Sequence, residues 1–268
     1  MRTFLPVAGA ALLAALFAGC SPPPTSDAQG YIEGEYVYVA APLGGALTNL
    51  AVARGDAVKA GQMLFALERQ SEAAALDQAE KNLASANASL ALAESTFQRR
   101  KELRENPSAV VSAEELDQAR AQRDSAVADV AAQQAALDKA KWSFDQKQQF
   151  APADAVVHDT LYRLGEFVAA GNPVVVLLPP ANLKVRFFVP QEKLPQVKVG
   201  EKVSVTFDGA TNVFSATVNY ISTEAEYTPP VIFSRETRAN LVFMIEAKFA
   251  PADAADLRPG QPVDVELK

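Results

Sequence analysis

Few side chains in this sequence could do chemistry, and they are scattered. The 268 residues include one His and one Cys. His158 stands directly before Asp159 in a segment of strand composition. Neighbours on a strand point to opposite faces, so the two make no preformed acid–base dyad. Glu114 with Glu115, and Glu224 with Glu226, are carboxylate pairs of the kind that soluble surfaces carry. No phosphate-binding Walker pattern occurs, and no Cys/His cluster has metal-ligand spacing. The expectation is a protein that is not an enzyme and uses no cofactor and no metal. A net charge of −7 argues against nucleic acid as a partner, because phosphate contacts need clustered Lys and Arg.

The lone Cys has a more informative setting. Arg2 precedes an apolar run from Phe4 to Phe17, and Cys20 follows, ahead of "SPPPTSDAQG". The run is shorter than the ~20 residues that span a bilayer. It fits the hydrophobic region of a secretory signal. With Ala18-Gly19-Cys20 it resembles the lipobox of bacterial lipoproteins, which implies lipidation of Cys20 and a membrane anchor. An ordinary signal peptide with an incidental Cys is the alternative. The expected boundaries are a signal over 1–20 and a linker over 21–35.

The elements that must position anything on this chain begin with a repeat. "GDAVKAGQMLFAL" (55–67) and "GEFVAAGNPVVVL" (165–177) match at an offset of 110. Gly55 and Gly61 correspond to Gly165 and Gly171, Val58 to Val168, and acidic Asp56 to Glu166. The pattern predicts a tight turn, a short extended piece, a second turn and a buried strand. With a strand upstream of each, the two halves (36–69 and 149–180) make one β-sandwich.

Residues 70–148 separate the halves and contain one Pro and no Gly. Leu76, Leu83, Leu90 and Phe97 recur every seven residues, with Ala79, Ala86 and Ala93 at the alternate core position. That is the seam of a coiled coil with small residues that allow close approach. Leu116, Val130, Leu137 and Phe144 keep the period in the second part, where Arg123 interrupts it. Pro107 stops the first helix, and Ser112 with Glu115 is a capping-box pair that starts the second. Two antiparallel arms of about 35 residues would each reach roughly 50 Å. From 181 to 268 five strand-like segments, with a short helix near Gln191–Gln196, suggest a small β-barrel.

This order of parts resembles the HlyD-type membrane fusion proteins, also called periplasmic adaptors. "GDAVKAGQ", hairpin, "APADAVV", "GEFVAAGNPV" and barrel follow in the family's sequence over nearly the whole mature chain. The resemblance implies an α+β fold: a split lipoyl-like β-sandwich, or barrel-sandwich hybrid, interrupted by an antiparallel coiled-coil hairpin and followed by a β-barrel. It implies rings, commonly hexamers, between an inner-membrane transporter and an outer-membrane channel of the TolC type. The segment "EAEYTPPVIFSRETRANLVFMIEAKF" looks like the YbhG-like subgroup that serves ABC-type exporters. The chain also ends with the barrel, where adaptors of resistance-nodulation-division pumps usually carry a further domain. An ABC partner is therefore expected, with a proton-driven (RND or MFS) pump as the alternative. The family's hairpin-tip motif is Arg, three residues, Leu, six residues, Ser. Arg99 and Leu103 match it, while Ser112 follows Leu103 after eight residues rather than six. Ser21 after Cys20 points to the outer membrane under the enteric sorting rule; the family's habit points to the inner membrane, which is the expected site.

Three other functions compete. A lipoyl or biotin carrier needs an acceptor Lys at the joint between the halves, and "LERQSE" offers none. A catalyst finds no dyad, as above. An adhesion protein would use Arg54-Gly55-Asp56, but the repeat accounts for the Gly and the acid.

Overall fold

The computed structural model describes residues 27–106, 111–207, 209, 212–227, 241–250 and 253–267. The expected signal, Cys20 and the start of the expected linker lie outside them. In chain order the elements are β1 (Ala28–Gly34), β2 (Val37–Ala40), β3 (Gly45–Leu50), β4 (Ala57–Val58), β5 (Met63–Leu67), α1 (Gln70–Glu105) and α2 (Ala113–Asp145). There follow β6 (Gln148–Phe150), β7 (Ala155–Thr160), β8 (Phe167–Val168), β9 (Pro173–Leu178), β10 (Leu183–Pro190), β11 (Lys202–Thr206), β12 (Phe214–Tyr227), β13 (Leu241–Phe249) and β14 (Pro262–Glu266). The fold is α+β, with a helical hairpin between two sets of antiparallel strands. Two units separate by contacts: Glu35–Pro180, and the described residues up to Gly34 with those from Ala181 onward.

The first unit is the sandwich with its hairpin. One sheet runs β2-β9-β7-β4 and the other β6-β5-β3-β8, so each half of the repeat contributes strands to both sheets. The turns explain why. The Gly55 N–H (φ +93°) donates to the Val157 carbonyl at 2.8 Å, and the Val157 N–H donates back to the Asp56 carbonyl at 2.8 Å. Gly165 (φ +88°) makes the same exchange with Leu47, through Glu166, at 2.8 Å both ways. Leu47 and Val157 are themselves related by the offset of 110. The sandwich is thus a pseudo-twofold object in which each half's turn is held by the other half's strand. The acids close the turns: Asp56 Oδ2 accepts the Ala53 N–H and Glu166 Oε2 the Arg163 N–H, each at 2.8 Å. Leu47, Leu64, Phe65, Val157, Val174 and Leu177 fill the space between the sheets. Each such burial stabilises by roughly 1.5–3 kcal/mol before entropy is counted.

The second unit is a closed six-stranded barrel in the order β1-β10-β13-β12-β11-β14. Its first strand corrects the sequence reading, which ends a linker at residue 35 and begins the barrel at 181. Residues 28–34 pair with both β10 and β14 and close the barrel. A Cβ on Gly30 would lie 2.2 Å from the Arg186 carbonyl oxygen, so this crossing of β1 and β10 requires glycine. Ile32, Val185, Phe187, Val205, Ile245 and Val265 are fully buried. The Gly turn recurs here. Gly200 exchanges hydrogen bonds with Val218 through Glu201 at 2.8 Å both ways, and Glu201 Oε2 accepts the Lys198 N–H at 3.0 Å. Gly260 pairs with Ile32 in the same way. On the face of β10 opposite Val185 and Phe187, Lys184 and Arg186 flank Glu246 of β13 at 2.8 and 2.9 Å, and Lys184 and Glu246 are buried.

Candidate functional site at the end of the hairpin

A long polar hairpin can present a site at its end only if its seam and its root are firm. Along α1, Ala79, Ala86 and Ala93 are buried, and Leu76, Leu83, Leu90 and Phe97 are half-buried beside them. On α2, Ala119 is buried. Arg123 does not break the seam. Its guanidinium lies 4.7 Å from the centre of the Phe97 ring, so a cation covers an aromatic face where a Leu would otherwise sit. At the root, Arg69 covers Phe144 in the same manner at 4.5 Å.

Lys147 locks the root to the sandwich. Its buried ammonium donates to the Gly44 carbonyl at 2.7 Å and pairs with Glu72 of α1 at 3.0 Å. Its own carbonyl accepts the Leu67 N–H of β5 at 2.8 Å. Burial pushes the Glu72 carboxyl up, but hydrogen bonds from Lys147 and Ser71 outweigh it and hold the group below its ordinary value. No local pattern announces this lysine in the sequence.

Toward the far end the seam turns polar. Counting by sevens, the Ala79, Ala86 and Ala93 column continues to Arg100. Arg100 Nη1 meets Glu115 Oε1 of α2 at 3.0 Å. Glu115 closes the capping box as well: its Oε2 accepts the Ser112 N–H at 3.1 Å, and its own N–H donates to Ser112 Oγ at 3.1 Å. The Ser112 N–H and the Arg100 guanidinium together hold the Glu115 carboxyl below its ordinary value.

The three residues assigned to the tip, of which Arg99 and Leu103 fit the motif's spacing, fall at this end. Arg99 and Leu103 are exposed and four apart, hence on one side of α1. Leu103 is 46% exposed, a large apolar side chain offered to solvent. Ser112 is the N-cap of α2. What the structure joins to Ser112 is Glu115 and, through it, Arg100, a residue that sequence reasoning passes over. The signal for it is there: a cation at the last position of an alanine column. Residues 107–110 lie outside the described residues.

The remaining candidates are occupied elsewhere. The His158 ring packs on Tyr36 with centres 4.3 Å apart, and Asp159 accepts the Thr160 N–H at 2.9 Å. Glu114 accepts from Gln118, and the carbonyl of Glu224 from Ser222. Among the described residues no three His, Cys, Asp or Glu gather as a metal site, and no helix is long and apolar enough to cross a membrane.

Known proteins share both the hairpin and the fold. A family model described as the alpha-helical hairpin domain of RND membrane fusion proteins matches residues 75–147. A UPF0194 membrane protein of Acidithiobacillus ferridurans is 29% identical, over 97% of this chain and 92% of its own length. The solved membrane fusion protein Spr0693 of Streptococcus pneumoniae R6 superposes with a TM-score of 0.65 at 22% identity, covering 90% of this chain and 97% of that one. MacA of Actinobacillus actinomycetemcomitans does so with 0.57 at 20% identity, over 89% and 76%.

Proposed function

We propose that this chain is a membrane fusion protein, a periplasmic adaptor that joins an inner-membrane transporter to a TolC-like outer-membrane channel. The observation that supports this most is the hairpin itself: a seam-packed pair of helices, locked at its root by Lys147 and carrying an exposed Leu103 in the last turn of α1. Arg99, Leu103 and Ser112 are the proposed channel contact. Cys20 is the proposed lipid attachment, holding the chain at the inner membrane, and rings of six copies the proposed assembly. The role is mechanical and not enzymatic: the ring seals a conduit and passes the transporter's movements to the channel.

The carrier alternative loses its chemistry at the junction. The lysine nearest the joint, Lys147, is buried and hydrogen-bonded and cannot be acylated without dismantling the root. For the transporter, the segment running through β12 and β13 favours an ABC-type partner. The description of the matched hairpin model, which names RND adaptors, favours a proton-driven pump. Affinity capture of the lipidated protein from membranes separates them: an ABC permease with its ATPase is the expected companion, and a proton-driven pump in its place would replace that assignment. Leu103→Asp is expected to abolish export at unchanged thermal stability and lipidation. Full export by this variant would remove the tip from the reading.

A further inference from the structure

The far end of the hairpin carries a contact that neither the tip motif nor the capping box requires. Arg100 occupies the heptad position at which Ala79, Ala86 and Ala93 are buried. An arginine there leaves the seam without its small apolar residue at the last layer before the tip. Its guanidinium reaches instead across to Glu115 of α2 at 3.0 Å. The same carboxylate accepts the Ser112 N–H through its second oxygen. One carboxylate thus links the last turns of α1, the first turn of α2 and the residue that begins α2.

We propose that Arg100 and Glu115 form a latch that positions the tip for channel docking, holding Leu103 on α1 and Ser112 on α2 in one fixed relation. The latch rests on the reading of the tip as the channel contact. Neither residue needs to touch the channel; both act through the side chains they align. The geometry separates this role from general stability. Arg100 is 40% exposed and Glu115 47%, and pairs this open to water contribute little to folding. Apolar contacts lower in the seam and the Lys147 lock hold the hairpin together without the pair, and the capping box uses Glu115 but not Arg100. What the pair controls is how narrowly the helix ends are distributed, and a docking surface split between two helices is sensitive to that.

Glu115→Gln isolates the effect, because glutamine serves in a capping box as glutamate does while losing the charge that Arg100 needs. Arg100→Met removes the other partner, and Arg100→Lys is the conservative control. Association of each full-length variant with a purified TolC-type channel would be measured beside the spread of distances between spin labels at Lys101→Cys and Asp117→Cys. These two positions are exposed and lie on opposite helices. The expectation is a loss of affinity of about two- to fivefold for Glu115→Gln and for Arg100→Met, with no further loss in the double variant. A broadened distance distribution should accompany it, and Arg100→Lys should restore most of both. Unchanged affinity in Glu115→Gln, or additive losses, overturns the latch. Leu103→Asp in the same assay tests the tip independently. If that variant binds normally, the tip reading falls and the latch with it; if it fails to bind while Glu115→Gln binds fully, the latch alone falls.

Discussion

At the scale of single residues, glycine and its acidic neighbour do the most to specify this chain. Gly55, Gly165, Gly200 and Gly260 all have φ near +90°, and each exchanges hydrogen bonds with a partner strand. A Cβ added at any of them would meet no atom within 4 Å. The requirement is therefore conformational and not steric. Gly165→Ala is expected to destabilise the sandwich by about 1–2 kcal/mol, the usual cost of a left-handed residue with a Cβ. Urea unfolding measures it, and an unshifted midpoint would show that the turn can flip at no cost. The same logic gives Arg54-Gly55-Asp56 a role in the turn: Asp56 Oδ2 accepts the Ala53 N–H of its own turn. These residues are legible in the sequence because a turn writes its needs locally. Lys147 is not, since it takes its meaning from partners on other elements; Arg100 shows only its place in the alanine column, because its partner Glu115 lies on the other helix.

At the scale of elements, the hairpin is a seam with alternating large and small side chains. The period of seven is readable because heptad spacing is a local property, and the Ser112–Glu115 box marks the start of α2; Pro107, expected to stop α1, lies outside the described residues. Arg123 reads as a break in that period and is not one. Its long stem and planar head let it stack on Phe97, which a pattern of apolar letters does not register. Close approach depends on the alanines, so Ala86→Leu should force the helices apart and destabilise the hairpin by about 1–3 kcal/mol. Hydrogen exchange provides the check: amides of α1 and α2 should lose protection while those of β9 keep theirs. Gained protection would mean the seam has room to spare.

For the molecule as a whole, the decisive feature is that the chain enters the barrel before it builds the sandwich. β1 closes the barrel with strands that come only after the hairpin and the second half of the sandwich, and only its Ala28 and Ile32 are buried. A strand with two glycines and two buried side chains looks like a linker until its partners are known. The barrel's buried charge cluster gives it an acid limit. Burial pushes the Glu246 carboxyl up, but hydrogen bonds from Lys184 and Arg186 outweigh this and hold it below its ordinary value. The stability this lends is complete above the unfolded glutamate value of ~4.3 and is lost as pH falls through the lowered folded value. Urea midpoints followed from pH 6 to pH 2 should therefore decline below about pH 4, and less steeply in Glu246→Gln. Equal slopes would assign the acid sensitivity to other carboxylates.

Residue order and spacing are enough to dictate the turns, the helical hairpin, the strands of the second unit apart from β1, and the succession in which they come. All of these are written in spacing over a dozen residues or fewer, or in a repeat that shows the same spacing twice. Contacts in three dimensions are needed to assign β1 to the barrel, to make the two halves hold each other's turns, to let Arg123 complete the seam, and to pair Lys147 and Arg100 with Glu72 and Glu115. Each of those depends on residues distant in the chain, and such contacts select side chains by shape and charge at one point in space, which no periodicity along the chain records.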